Sequence, residues 1–314
     1  MILSISRRSD IPAFYTDWLV NRFKEGYVLV RNPMNYHQVS EVKLSAELID
    51  CIVFWTKDPQ NIIPKLKVFS KYKYYFHITV NSYGKDIERN VRSKREIIKS
   101  IIELSNLIGR ERIIWRYDPI ILSDKYDLEY HEKYFRKLME KLSPFCHKCV
   151  ISFLDIYSKT KRNMKSIEYQ EISEDGMKEV GKKLARVAAE FEMIIETCSE
   201  AIDLSVCGIS HGKCIDDRLI SKLNNCGLVI AKDMNQRDIC GCVKSIDIGA
   251  YNTCNHKCLY CYANFSEKAM INNIGKHDSQ SPFLIGNIEA GDVVKERKME
   301  KYCTGYEQMK LYDL

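Results

Sequence analysis

The chain has 314 residues, 45% of them hydrophobic, enough to build one large domain or two ordinary ones. Glycine (14) and proline (7) are too sparse for a disordered chain, and no apolar stretch approaches the roughly 20 residues of a membrane helix. The net charge of +6 is mild, so the lysine-rich stretches 65–73 and 89–99 read first as solvated helix faces and only second as a surface for tRNA or DNA.

The first eight residues lack the basic-then-apolar pattern of a signal segment, so a cytoplasmic location without membrane association is expected. A first strand is predicted at 2–6, then a helix at about 13–24 and a second strand at 27–31. Strands at 51–55 and 74–80 follow, then a long helical pattern at about 86–107. A strand at 112–116, a helix near 128–142 and a strand at 150–154 come next. A helix near 174–191 leads to a strand at 193–196, and the eighth strand is 245–249. Short β-branched and aromatic runs separated by helices read as parallel strands buried on both faces. Eight of them predict an α/β fold, a closed (β/α)8 barrel, with an open doubly wound sheet as the alternative. Residues 228–231 are a candidate extra strand. The chain divides into one domain at 1–274, with a cysteine-rich insertion at about 198–244, and a C-terminal tail at 275–314.

Barrels place their chemistry at the C-terminal ends of strands. Those ends carry Arg7, Arg8 and Asp10, then Arg31 and Asn32, then Thr56, Lys57 and Asp58. Thr79 and Asn81 end the fourth strand, and Arg116, Tyr117 and Asp118 the fifth. Asp155 follows the sixth, and Glu196, Cys198 and Glu200 the seventh. Arg8, Arg116, Asp155 and Glu196 are the catalytic candidates. The arginines and lysines of this mouth suggest an anionic substrate, because guanidinium groups bind carboxylate and phosphate bidentately.

Thirteen cysteines are many for a reducing compartment, and nine lie between Cys198 and Cys261, which points to metal rather than a spread disulfide framework. Cys254, Cys258 and Cys261 stand in a C-x3-C-x2-C run with Tyr260 before the third cysteine. Three thiolates on one loop can hold three corners of a cubane cluster and leave the fourth iron open for chemistry. Structural zinc wants a fourth ligand, and His256, squeezed between two of the cysteines, would complete it only under strain.

This loop resembles the signature of the radical S-adenosylmethionine (SAM) superfamily, C-x3-C-x-aromatic-C after a strand of a barrel. The flanking Asp-Ile-Gly-Ala-Tyr-Asn-Thr-Cys and Cys-Tyr-Ala-Asn also resemble a family catalogued only as a domain of unknown function, whose similar cysteines lie near the C-terminus. The resemblance implies a [4Fe–4S] cluster on Cys254, Cys258 and Cys261 that binds SAM. One-electron cleavage of SAM would yield a 5′-deoxyadenosyl radical that abstracts hydrogen from a substrate. A donor such as flavodoxin or ferredoxin would supply the electron, and Tyr260 would lie by the adenine. Asp10, Thr79, Asn81, Arg116 and Asp118 are candidate contacts for the cofactor. The loop follows the last strand rather than the first, and the turn after the neighbouring first strand has no Gly-Gly-Glu; Asp10 is the candidate for the SAM amino group in its place.

A second group, Cys198, Cys214, Cys240 and Cys242, is expected to bind an auxiliary iron–sulfur cluster. Zinc on the same four and unligated thiols are the alternatives, since soft thiolates accept either metal. Gly241 between two thiols would let the backbone turn toward one metal. Cys207 is the substitute ligand. Cys226 reads as a packed core thiol, Cys303 as a free thiol, and Cys146 and Cys149 as loop and core thiols. His77 reads as a hydrogen-bonded core residue. Besides a radical SAM enzyme, an iron–sulfur electron carrier or sensor and a zinc-stabilised nucleic-acid-binding protein fit the cysteines.

Overall fold

The structure, a computed structural model, describes residues 1–155 and 158–304. In chain order the elements are β1 (Ile2–Ile5), α1 (Ile11–Phe14), α2 (Thr16–Glu25), β2 (Tyr27–Asn32), β3 (Asn35–Lys43), β4 (Cys51–Thr56) and β5 (Tyr74–Thr79). Then come α3 (Lys94–Ile108), β6 (Ile113–Ile120), α4 (Leu128–Leu142), β7 (Lys148–Phe153), α5 (Ser158–Asn163), α6 (Glu174–Glu190) and β8 (Ile194–Thr197). The last third holds β9 (Ser210–His211), α7 (Asp217–Asn224), β10 (Gly227–Leu228), β11 (Ile246–Asp247), α8 (Glu267–Gly275), β12 (Val293–Glu296) and β13 (Cys303–Thr304).

Eight strands pair in parallel in the order β11-β1-β4-β5-β6-β7-β8-β9. Among the described residues no ladder joins β11 to β9. The expected strand count is met, but one member differs. The predicted strand at 27–31 lies outside this sheet: β2 pairs antiparallel with β3, and β12 adds to β3 in parallel. The run Tyr27-Val-Leu-Val-Arg31 has the right composition, but its partner β3 is exposed over its first four residues. Fully buried strands such as β7 carry the parallel sheet. β1 pairs directly with β4, and the count of eight is restored at the far edge by β9, two residues long and too short to leave a periodic signature.

Alternation along each strand builds two different faces. Leu3, Ile5, Phe54, Phe76, Trp115 and Ile151 join the core that includes Trp18, Leu19, Ile101, Phe135 and Leu184 of the helices. Ile2, Cys51, Val53, Tyr75, Ile114 and Val150 instead pack against Cys214, Ile215, Leu219, Ile220, Cys240, Cys242 and Val243. The cysteine-rich insertion therefore fills the face that the helices leave. The helix expected from residue 86 begins at Lys94, where Ser93 accepts from the Glu96 backbone N–H and Ser93 Oγ bonds the Glu96 carboxylate, a capping box. Residues 86–91 are left free to back the cysteine loop.

The tail is stitched to the rest. Trp18 Nε1 donates to Ser281 O (2.9 Å), and Leu29 N to Pro282 O (2.9 Å). Cys226 and Cys303 form a disulfide beside the β10–β13 pairing, contrary to the expectation of one packed and one free thiol. Asp50 ties the first residue to the tail by accepting from the Met1 ammonium and from the backbone N–H of Tyr302 and Cys303. Residues 305–314 of the expected tail lie outside the described residues. No helix among the described residues is long and apolar enough to cross a membrane.

Candidate functional site

The loop carrying Cys254, Cys258 and Cys261 leaves the C-terminal end of β11, which pairs with β1. Asp247 locks that junction: it accepts from Ser4 Oγ (2.9 Å), Ser6 Oγ (2.6 Å) and the Arg7 backbone N–H (2.8 Å). Gly249 is required here by space, since a Cβ would run into Ser6 Oγ. The loop is closed at its base by two asparagines. Asn252 Oδ1 accepts from Phe265 N and Ser266 N, while Asn264 brackets Cys254 through its backbone N–H and carbonyl. Asn252 and Lys257 take positive φ (54° and 53°), the left-handed conformation that folds so short a loop back on itself.

Residues 86–91 support the loop from outside. Leu259 N donates to Ile87 O (3.0 Å), Asn90 N to His256 O (3.0 Å), and Glu88 bridges Cys258. Glu88 is fully buried yet charged. Burial alone would raise its carboxyl, but Lys57 and Lys94 pull it down to about 2. It accepts from Lys57 Nζ (2.7 Å) and Tyr260 Oη (2.6 Å) and is paired with Lys94. Nothing in the sequence marks Glu88, because Tyr260 lies 172 positions away and only the fold unites them. Burial raises all three loop thiols, Cys258 to about 12. They act on one another through charge only; among the described residues no sulfur–sulfur hydrogen bond joins them.

The second group is arranged differently. Cys198 follows β8, Cys214 follows β9, and Cys240 and Cys242 lie in the segment between β10 and β11. The sulfurs of Cys198 and Cys214 are 3.1 Å apart. The Ile215 backbone N–H, next to Cys214, donates to Cys242 Sγ (3.3 Å), Cys240 stands two residues before Cys242, and Cys240 feels the charge of Cys198, so the four gather in a ring on the cavity wall. Its hydrogen bond with Cys242 pulls Cys240 down to about 6, the one thiol of either group shifted toward ionisation. Gly241 does not have positive φ; a Cβ there would meet Lys213 Cγ at 3.0 Å, so it serves close approach rather than the expected backbone turn.

Both groups line one cavity of about 440 Å³. Of the predicted site residues, Arg8, Asp10, Thr79, Arg116, Asp118, Asp155, Tyr260 and all seven cysteines are on its wall. Glu196 is not. It is buried against Lys148 (2.6 Å), which also bonds Asp216 (3.1 Å), in an ion cluster off the cavity. Asn81 stands one layer back: its amide donates to Tyr260 Oη (3.1 Å) and Asp118 O (2.9 Å) and its carbonyl accepts from Asp118 N (2.8 Å). Arg31 and Asn32 are on the outlying hairpin, where Arg31 pairs with Asp292 (2.5 Å). Cys146 and Cys149 are buried in the core, and Cys207 lies against Lys178 O, away from the ring. Trp55 and His77 of the wall went unmarked in the sequence as site residues; they stack at 4.3 Å between ring centroids.

The wall's charges are already partnered. Asp10 caps α1 through Ala13 N (3.0 Å) and accepts from Lys57 N (2.7 Å) and His256 Nε2 (2.8 Å), so both carboxylate oxygens are in use. Arg116 makes a two-nitrogen contact with Asp118 (2.8 and 2.5 Å) and donates to Cys214 Sγ (2.8 Å). Burial would raise the Asp118 carboxyl, but Arg116 holds it below its ordinary value. Asp155 meets Arg237 at 2.7 Å. Arg7 and Arg8 are held more loosely: Arg7 is 3.9 Å from Asp233 and Asp247, and Arg8 is 3.7 Å from Asp247, donates to Gly249 O (3.4 Å) and lies 5.6 Å over the Tyr251 ring.

No curated protein matches the sequence. One solved structure, a pyruvate carboxylase of Rhizobium etli, is similar at 8% identity and a TM-score of 0.30, covering 69% of this chain and 24% of the carboxylase, too slight a likeness to bear on fold or activity. Over residues 2–263, from β1 through the last cysteine of the loop, the sequence matches a family model, and the chain belongs to that family, the domain of unknown function DUF1848.

Proposed function

We propose that the protein is a radical SAM enzyme whose cluster is held by Cys254, Cys258 and Cys261. The observation that carries this reading is the loop itself: three thiols within eight residues, Cys258 buried and Cys254 and Cys261 half-buried, line a cavity at the end of β11 beside β1. Three soft thiolates on one short loop suit a cluster in which each sulfur takes a different iron, and the cavity has room for a bound small molecule. When bound, the cluster and SAM supply one-electron bond cleavage and a radical able to abstract a hydrogen atom from substrate.

The chain's own residues prepare the site. Glu88 and Asn81 orient Tyr260 at the cavity wall, and the Lys57 ammonium lies 5.4 Å from that ring's centre. Asp10 holds the loop through His256 rather than standing free for an ammonium, so the SAM amino group falls to another acceptor of this wall. Anion recognition in this reading falls to Arg7 and Arg8, two loosely paired cations of the wall. A small electron-transfer protein of the flavodoxin or ferredoxin kind would deliver the electron. The test is anaerobic reconstitution with iron and sulfide, then dithionite and SAM. Formation of 5′-deoxyadenosine is expected; an iron-loaded protein that leaves SAM intact would overturn the reading.

A further inference from the structure

We infer that Cys198, Cys214, Cys240 and Cys242 bind a single tetrahedral metal ion of the zinc type, not the auxiliary iron–sulfur cluster that their composition suggested. The inference is independent of the radical chemistry. It starts from sulfur spacing. Four thiolates around one zinc, with metal–sulfur bonds of about 2.3 Å, are mutual neighbours about 3.8 Å apart. In a cubane each thiolate sits outside its own iron, so the sulfurs stand much further from one another. Cys198 and Cys214 are at 3.1 Å, too close for a cubane, and Cys242 is held beside Cys214 by the Ile215 backbone N–H (3.3 Å) with Cys240 two residues away on the same cavity wall. The 3.1 Å separation is also far beyond the roughly 2.0 Å of a disulfide bond, and all four cysteines are free thiols. The loop thiols at Cys254, Cys258 and Cys261 are the internal contrast: among the described residues no sulfur–sulfur hydrogen bond joins them. Among the described residues no three donors yet meet at one coordination point, so the ion would part Cys198 and Cys214 slightly, from 3.1 Å to about 3.8 Å, and draw Cys240 and Cys242 in around it.

Two further observations point to a ligand. Metal-bound thiolates accept N–H hydrogen bonds, and the ring receives them: Arg116 Nη1 donates to Cys214 Sγ (2.8 Å) and the Ile215 backbone N–H to Cys242 Sγ (3.3 Å). The backbone of Cys214 is fixed as well, its carbonyl accepting from Tyr75 Oη (2.7 Å) and His77 Nε2 (2.8 Å). These donors come from β5 and β6, the middle of the sheet. The ring thus fastens the insertion, whose only regular elements are short, to a face the helices do not cover. A closed tetrahedral ion is the staple such a segment needs, and it has no open position for substrate.

The experiment uses the full chain with Cys254, Cys258 and Cys261 all replaced by alanine, which removes the loop's metal whatever its role. Purified without oxygen, this variant is expected to retain one zinc per chain. Exchange for cobalt should give the intense absorption of a tetrahedral thiolate site. Arg116→Gln in the same background should weaken metal retention against a chelator by about 10-fold to 100-fold, and Cys242→Ser should abolish it. If Cys242→Ser does not fold, chelator-driven zinc release from the parent variant, with thiol labelling of these four cysteines before and after, reads the same site. Iron and sulfide in place of zinc, a Cys198–Cys214 disulfide in peptide maps, or a metal-free folded variant would each overturn the assignment. Failure of the radical reading shows separately, as an intact chain that keeps zinc yet forms no 5′-deoxyadenosine.

Discussion

The two thiol groups share one cavity wall and differ in how the chain brings them there. Cys254, Cys258 and Cys261 come from a single loop within eight residues, fixed by local asparagine clamps and by Glu88. Cys198, Cys214, Cys240 and Cys242 come from three segments and meet only because β8, β9 and the insertion close over the same strands. A local trio is pre-shaped by its own turn. A dispersed group brings Cys198 and Cys214 to 3.1 Å and holds its segments against one sheet in doing so. The difference teaches that cysteine content alone does not describe a thiol group; the way the chain delivers the sulfurs does.

The largest expected effect tests the loop. Cys258→Ala should lose its iron and reduce 5′-deoxyadenosine formation to background, while zinc at the ring stays, as metal analysis of the same sample will show. The reverse substitution comes next. Cys242→Ser removes the staple, and a loss of about 3–5 kcal/mol, comparable to removing a native cross-link, is expected. That corresponds to roughly 6–20 °C in Tm, with the loop's iron retained. Should both variants lose both metals, the two groups are one coupled site and the contrast fails.

Gly249→Ala sharpens the account of the loop's base. Its new Cβ collides with Ser6 Oγ, and overpacking of this kind costs about 1–3 kcal/mol. Denaturant melts should show that loss. Tyr260→Phe is smaller: it removes the hydroxyl shared with Glu88 and Asn81, about 1–2 kcal/mol. The change should lower iron retention at the loop and leave the ring's zinc untouched.

The smallest effect is a pH control that touches neither group. His131 is buried, with Nδ1 facing Tyr117 Oη (2.6 Å) and Nε2 facing Ile121 O (2.9 Å), and burial lowers its pKa. Above the ordinary histidine value of about 6.5 it is neutral in both folded and unfolded chains, and its packing is fully stabilising. As pH falls below that value, the unfolded chain takes a proton that the folded one refuses, so stability declines. Melts of the wild type and His131→Gln should differ most at neutral pH and converge as the pH is lowered.

Legibility followed distance along the chain. The helix expected near 128–142 appears as α4 (Leu128–Leu142) because its apolar stripe, the Asp127 cap and its length are all local. The strand at 27–31 was misplaced because β-rich composition does not say which sheet will take it. Cys303 looked free because its partner Cys226 is 77 residues away. Glu196 looked catalytic from its place at a strand end, yet its side chain turns to Lys148, a choice made by strand pleat and by a partner 48 positions earlier.

By itself the sequence determined the alternation of strands and helices, the cysteine loop with its spacing, and the seven thiols worth watching. These rest on short-range physics: periodicity, caps and the reach of a turn. The tertiary structure alone decided that the two thiol groups face one cavity, that the wall's charges are partnered, and that Cys198 and Cys214, 16 positions apart, meet at 3.1 Å. Those facts are distances between residues remote in the chain, and they exist only once side chains have packed against a common sheet.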